Sequence, residues 1–156
     1  MAATEALRIV TDLDPNEAIR LWFEGIGIQT PVETVNGDRL MGVASGAGMT
    51  VYGAYTSERA QIYMRERFGM AANVELGFEL DACRDRSHPQ TAIIKGTLTF
   101  IERTGADCGL WFKDNHMLVL LHRCGQLTID DREALWTLPR LRLIKHPYTL
   151  QMLVAH

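Results

Sequence analysis

The side chains best suited to chemistry crowd into one stretch, Ala106 to Asp130, which reads ADCGLWFKDNHMLVLLHRCGQLTID and holds Cys108, His116, His122 and Cys124. Two thiols and two imidazoles in so short a run could ligate zinc, or act as a cysteine nucleophile with a histidine base. The spacing argues against both. Asp114-Asn115 between two apolar runs is a two-residue hairpin signal, because both residues tolerate the positive φ such turns need. A turn there pairs Lys113 with His116, Phe112 with Met117, Leu110 with Val119 and Cys108 with Leu121. Opposed residues share a face, and faces alternate along each strand. Cys108, Leu110, Phe112, Met117, Val119 and Leu121 then line one apolar face, while His116, His122 and Cys124 fall on the other with Trp111, Leu118 and Leu120. Cys108 points away from both histidines, which lie about 20 Å apart at ~3.3 Å per residue. Metal–ligand bonds of ~2 Å cannot close such a gap. The stretch reads as a structural hairpin with core thiols, and no metal is expected.

Other candidates are weaker. Cys83 sits in the run CRDR, where Arg84 and Arg86 would lower its pKa and make it reactive, but no histidine lies within that run. Ser45-Gly46-Ala47-Gly48 lacks the Lys-Ser/Thr of a phosphate loop, and no dinucleotide fingerprint is present. Neither GxSxG, HExxH nor a CxxC pair occurs. No catalytic or cofactor-binding constellation assembles, so neither an enzyme nor a cofactor is expected.

These residues must be positioned by a single domain spanning 1–156, since a chain of 156 residues builds one real core. Leu7 to Leu13 reads as a first strand. Asp14-Pro15-Asn16-Glu17 then has the form of a capping box, with Pro15 at the first helical position. The helix it opens runs to about Glu24 and stops at Gly25. Its apolar side, Ala18, Ile19, Leu21, Trp22 and Phe23, faces away from Asn16, Glu17, Arg20 and Glu24. Short strands follow at Val32–Val35, Leu40–Ala44 and Met49–Tyr55, joined by Asn36-Gly37 and the SGAG turn. Ser57 caps a helix through Arg67, with Phe68-Gly69 ending it, and Asn73–Leu80 is a strand. Thr91–Glu102 fits two patterns. Gly96, Leu98 and Phe100 alternate as in a strand, while Ile93, Ile94, Thr97, Leu98, Phe100 and Ile101 share a helical arc. Past the hairpin, Cys124-Gly125 turns into a third strand, Leu127–Ile129, which leaves 116–123 central and covered on both faces. Asp131-Arg132-Glu133 begins a helical turn, and Leu141–Ile144 extends. The fold class expected is α+β, a mainly antiparallel sheet with two or three helices packed on one face.

A net charge of −3 gives no basic footprint for direct nucleic-acid binding. The charge is uneven. Residues 1–40 hold seven acids against three arginines, a local −4, whereas 121–156 sum to +2. Three cysteines, an odd number without CxxC pairing, suit a reducing compartment. With no long apolar run and no secretory leader pattern, a cytoplasmic protein that does not enter membranes is expected.

The second half resembles a known family. FGMAANVELGFELD at 68–81, the GADCGLWFKDNHMLVLLHRCGQLTID segment and WTLPRLRLIKHPY at 136–148 follow in the order seen in Sit-type immunity proteins of the third class. Phe68-Gly69, Asp81, Gly105, Phe112, Trp136, Pro139 and Pro147-Tyr148 stand at matching places, and the likeness spans roughly 60–150. Lys113-Asp114-Asn115 replaces the family's Asn-Gly turn, and Ala106 separates Gly105 from Asp107. The resemblance implies a cytoplasmic protein that protects bacteria from a toxin delivered by kin, and it tips Thr91–Glu102 towards helix. On this reading the protein binds and neutralises a cognate toxin. If that toxin is a basic nuclease domain, an acidic surface would meet it, and Glu17, Glu24, Glu33 and Asp38 are the expected contacts, with Trp111 on the hairpin face. Two rival readings remain. One is a small-molecule-binding module or thiol enzyme built on Cys83, or on a pocket beside Trp111 and His122. The other is a homo-oligomer assembled through the exposed edge of the hairpin.

Overall fold

The fold is that of a computed structural model, which describes residues 5–81, 85–112, 116–132 and 134–153. Among the described residues nine strands form one sheet: β1 (Glu5–Ile9), β2 (Glu33–Thr34), β3 (Leu40–Gly46), β4 (Met49–Tyr55), β5 (Val74–Leu80), β6 (Cys108–Phe112), β7 (Met117–Arg123), β8 (Gln126–Asp130) and β9 (Tyr148–Gln151). Their spatial order is β2-β3-β4-β5-β1-β6-β7-β8-β9. Every pairing is antiparallel except β8 with β9. Four helices accompany them among the same residues: α1 (Pro15–Gly25), α2 (Glu58–Phe68), α3 (Ser87–Thr104) and the short α4 (Leu138–Leu141). The fold is α+β, and none of the helices is long and apolar enough to cross a membrane among the described residues.

α1 begins as its sequence dictates. The Asp14 carboxylate accepts from the Glu17 backbone N–H at 2.9 Å, and the Glu17 carboxylate accepts from the Asp14 N–H at 3.2 Å. Two orphan donors of the first turn are thereby satisfied. That bond to the Glu17 N–H also holds the Asp14 carboxyl below the usual carboxylate range. α1 lies close against the sheet because Gly42 and Gly53 present no side chain to it. A Cβ on Gly53 would stand 2.9 Å from the Pro15 carbonyl oxygen and 2.7 Å from Ile19. The buried stripe Ala18, Ile19, Trp22 and Phe23 joins Leu7, Val51, Leu76 and Phe78 of the sheet.

The 91–102 ambiguity resolves as helix. α3 buries Ile93, Ile94, Thr97, Leu98, Phe100 and Ile101 against the same sheet face as α1, and ends on Gly105 at φ 66°, a left-handed C-cap. α2 also stops at a left-handed glycine, Gly69, but it lies against the opposite face. There Met64 joins Met70, Ala72, Trp111, Leu118 and Leu153 in a second, smaller core. So two helices share one face, as expected, and α2 covers the other.

The hairpin expected at 108–123 exists, but its register slips. Phe112 pairs with Met117 as predicted and Trp111 with Leu118, yet Leu110 opposes Leu120 and Cys108 opposes His122. Val119 is the extra residue of a β-bulge, which flips the facing of everything beyond it. Both Val119 and Leu120 consequently enter the larger core. The bulge carbonyl finds a partner in the Trp136 indole N–H, at 3.3 Å. The turn residues Lys113, Asp114 and Asn115 lie outside the described residues.

Two further expectations change. Leu141–Ile144 is not extended; Leu143 N–H donates to the Arg140 carbonyl and Ile144 N–H to that of Leu141, continuing the α4 turn. Beyond His146-Pro147, the uncharged strand β9 adds to the sheet parallel to β8, a pairing that requires the crossover which 131–147 supplies.

Candidate functional site

The acidic residues of the first 40 positions divide cleanly. Glu5 is fully buried in β1 beside Arg86, whose guanidinium lies 3.3 Å from it. The other six, Asp12, Asp14, Glu17, Glu24, Glu33 and Asp38, are all exposed. They sit on α1, on the turn leading into it, and on β2 with the loop that follows. Because α1 lies across β3 and β4, and β2 pairs with β3, the tertiary fold gathers these elements at one end of the sheet. Glu24 is partly neutralised by Arg103 of α3, at 3.4 Å with both side chains about half exposed. Glu17 is engaged in the capping box. Glu33 and Asp38 take part in no ion pair among the described residues. Arg20 and Arg39 are exposed in the same region, so the surface is acidic without being uniformly so.

Trp111 does not belong to any such surface. It is 1% exposed, with Phe68 of α2 edge-on at 6.0 Å and the Arg8 guanidinium stacked 5.0 Å from its ring centre. Arg8 is itself held by Glu75 at 2.7 Å. Room for the indole comes from Gly109, where a Cβ would stand 2.7 Å from the ring. The alternation that places Trp111 opposite Leu110 was legible; that α2 would cover this face was not.

The bulge also revises the thiol–imidazole arrangement. His122 does not point away from Cys108; the two are directly opposed, on the face covered by α3. They still form no reactive pair. Burial pushes the Cys108 thiol far up from its ordinary pKa, with Asp107 adding to the effect, so it stays protonated. The His122 Nδ1 lies 2.8 Å from the Ala106 carbonyl, which can only accept, so Nδ1 is the donor of this bond. His116 is exposed at the start of β7, and Cys124 sits at φ 51° in the β7–β8 turn, its N–H donating to Asp107. No group of His, Cys, Asp and Glu able to hold a metal ion occurs among the described residues. Cys83 and Arg84 lie outside them.

A pocket of about 550 Å³ opens beside His122, between the C-terminal half of α3, β8 and the 143–149 segment. Leu98, Ile101, Leu127 and Ile144 give it apolar walls, and Glu102 and His146 form an ion pair at 3.2 Å on its rim. A pocket beside Trp111 and His122 together is excluded, because these residues face opposite sides of the sheet. The remaining wall of the pocket beside His122 comes from the crossover into β9, which no periodicity in 143–149 announced.

The matching positions of the sequence resemblance have clear structural roles. Gly69 and Gly105 cap helices in the left-handed region, Phe112 is core, Trp136 satisfies the bulge, and Pro139 opens α4. They specify the fold rather than a reactive centre. No curated protein and no solved structure matches this chain. The SitI3-like family model matches residues 6–140, extending the likeness through β1 and α1, and the chain therefore belongs to the SitI3-like family.

Proposed function

We propose that this protein is a non-enzymatic immunity protein of the cytoplasm that binds a cognate toxin and neutralises it by occlusion. Family membership supports the toxin partner. The observation that carries the choice of surface is that all six acids outside β1 in the first 40 residues are exposed on α1 and β2 and the turns beside them. A surface of this sign complements a basic nuclease domain, whose nucleic-acid groove it would cover. A standard interface takes ~800 Å² per partner, which one end of a domain this size can offer.

Glu33 and Asp38 are the best probes, since reversing them breaks no ion pair among the described residues. Glu33→Lys with Asp38→Lys should lower the on-rate for the toxin about 5–10-fold at low salt and flatten its salt dependence, because peripheral charges act on steering. The off-rate should move little. Kinetics unchanged at both low and high salt would remove this end of the molecule from the interface. A second reading, a small-molecule-binding module, is favoured by the pocket beside His122, whose volume and mixed lining suit a small ligand. Thermal stabilisation by apolar alcohols, whose hydroxyl can donate to or accept from the free ring nitrogen, that His122→Ala abolishes would support it.

A further inference from the structure

The two edges of the sheet are unlike. β2 is two residues long, carries Glu33, and leads to Asp38 and Arg39. Short length and charge are the usual protections of a free edge. β9, at the other edge, has neither a charge nor a bulge: all of Tyr148–Gln151 is exposed, and no charged side chain occurs from Pro147 to Leu153. Tyr148, Leu150 and Met152 are 39%, 58% and 67% exposed. Tyr148 and Leu150 pair with Leu127 and Ile129, core residues of the α3-covered face, and so extend that face outward beyond its helices. Leu153 turns into the opposite core, continuing the alternation that puts Met152 with Leu150.

We infer that the edge of β9, unpaired among the described residues, pairs with β9 of a second copy, antiparallel about a two-fold axis, to join two sheets into one. The strand matches itself. Opposed residues must share a face, so the register sums are even. Centring on Leu150 sets Leu150 against Leu150 and Tyr148 against Met152, so all three exposed apolar side chains meet across the junction. Thr149 then opposes Gln151 on the other face. Charge selects the direction. Antiparallel pairing places the two Lys145 residues at opposite ends of the junction, whereas parallel pairing would bring them to the same end, where like charges repel. The strand is short, so the contact falls below the ~800 Å² per partner of a standard interface and the dimer is expected to dissociate at roughly 10–100 μM.

Light scattering over a concentration series should show the mass rising from 17.5 kDa towards twice that value. Leu150→Lys should hold the protein at the monomer mass with its circular dichroism unchanged. To fix the register, Leu150→Cys in a Cys83→Ser, Cys124→Ser background should form a disulfide-linked dimer on mild oxidation. Thr149→Cys alone should not, and neither should Glu33→Cys at the opposite edge. A monomer mass up to about 1 mM, well above the constant implied by so small a contact, overturns the proposal and leaves this edge to the toxin. Open-ended aggregation, or cross-linking through Thr149→Cys in place of Leu150→Cys, overturns it as well.

Discussion

Gly96 is the point at which α3 meets α1, and replacing it sets two effects of opposite sign against each other. Alanine in place of a mid-helix glycine adds up to ~1 kcal/mol of helix stability. Here, however, the new Cβ would stand 2.6 Å from the Trp22 Nε1 and 2.7 Å from its Cζ2, with Cε2 closer still. Carbon contacts are most favourable near ~3.5–4.0 Å, so the ring or the helix must give by about 1 Å. The ring has no room to do so. Trp22 is fully buried, with Phe78 at 4.9 Å and Phe23 at 5.2 Å between ring centres. Overpacking a filled core costs typically ~1–3 kcal/mol, and three such contacts on a confined ring put this site at the upper end. The net expectation for Gly96→Ala is a loss of about 2 kcal/mol, or roughly 4–8 °C in Tm for a chain of this length. Thermal and denaturant unfolding measure it, with Lys95→Ala on the exposed side of α3 as the neutral control. The cycle with Trp22→Phe isolates the cause. Phenylalanine is smaller, lacks Cζ2 and the rest of the outer ring, and so leaves room for the side chain to retreat from the Cβ; it also removes an indole N–H that has no partner among the described residues, so Gly96→Ala should cost less than half as much in that background. A Tm at or above that of the parent protein would refute the close-contact argument.

Arg140 is buried, and its guanidinium donates to the Leu135 carbonyl at 2.8 Å, Thr91 Oγ1 at 3.0 Å and the Ser87 carbonyl at 3.3 Å, tying α4 to the start of α3. Arg140→Ala leaves those acceptors unsatisfied and should destabilise by about 2–4 kcal/mol in urea unfolding, with the crossover into β9 loosened first in hydrogen exchange. A loss under about 0.5 kcal/mol, the usual scale of an exposed substitution, would show that the clamp is dispensable. Cys108 should resist alkylation in the native protein at mildly alkaline pH, because burial keeps its thiol protonated, while exposed Cys124 reacts freely. A ratio of rates above about 1,000 is expected if labelling awaits global unfolding; comparable rates would mean the β6–β7 region opens on its own.

Local rules alone determined much of this protein. Asp14, Pro15 and Glu17 define the start of α1 because a capping box is settled by neighbours three residues apart. The SGAG and Cys124-Gly125 turns, the left-handed Gly69 stop and the alternating strands are equally local, and the Trp22 stripe already named the core-facing side of α1. The strand-or-helix conflict at 91–102 was beyond periodicity alone, since both patterns place Leu98 and Phe100 inward. Packing of Gly96 on Trp22 and burial of Thr97 beside Leu98, and of Ile101 beside Phe100, on one face require the helix. The bulge at Val119 was also out of reach. One inserted residue reverses every facing beyond it, and its energetic reason, a carbonyl matched by the Trp136 indole 17 residues away, is long-range. From that slip follow the placing of His122 opposite Cys108 and the pocket beside it. Trp111 read as a surface aromatic only because nothing in β6 tells that Phe68 and α2 will cover it. The hairpin edge proposed for self-association is interior, since β1 and β8 pair on either side of β6 and β7. Which strand is left at the edge is a property of the assembled sheet, set by pairings between segments far apart in the chain, and so it was decided by tertiary structure alone.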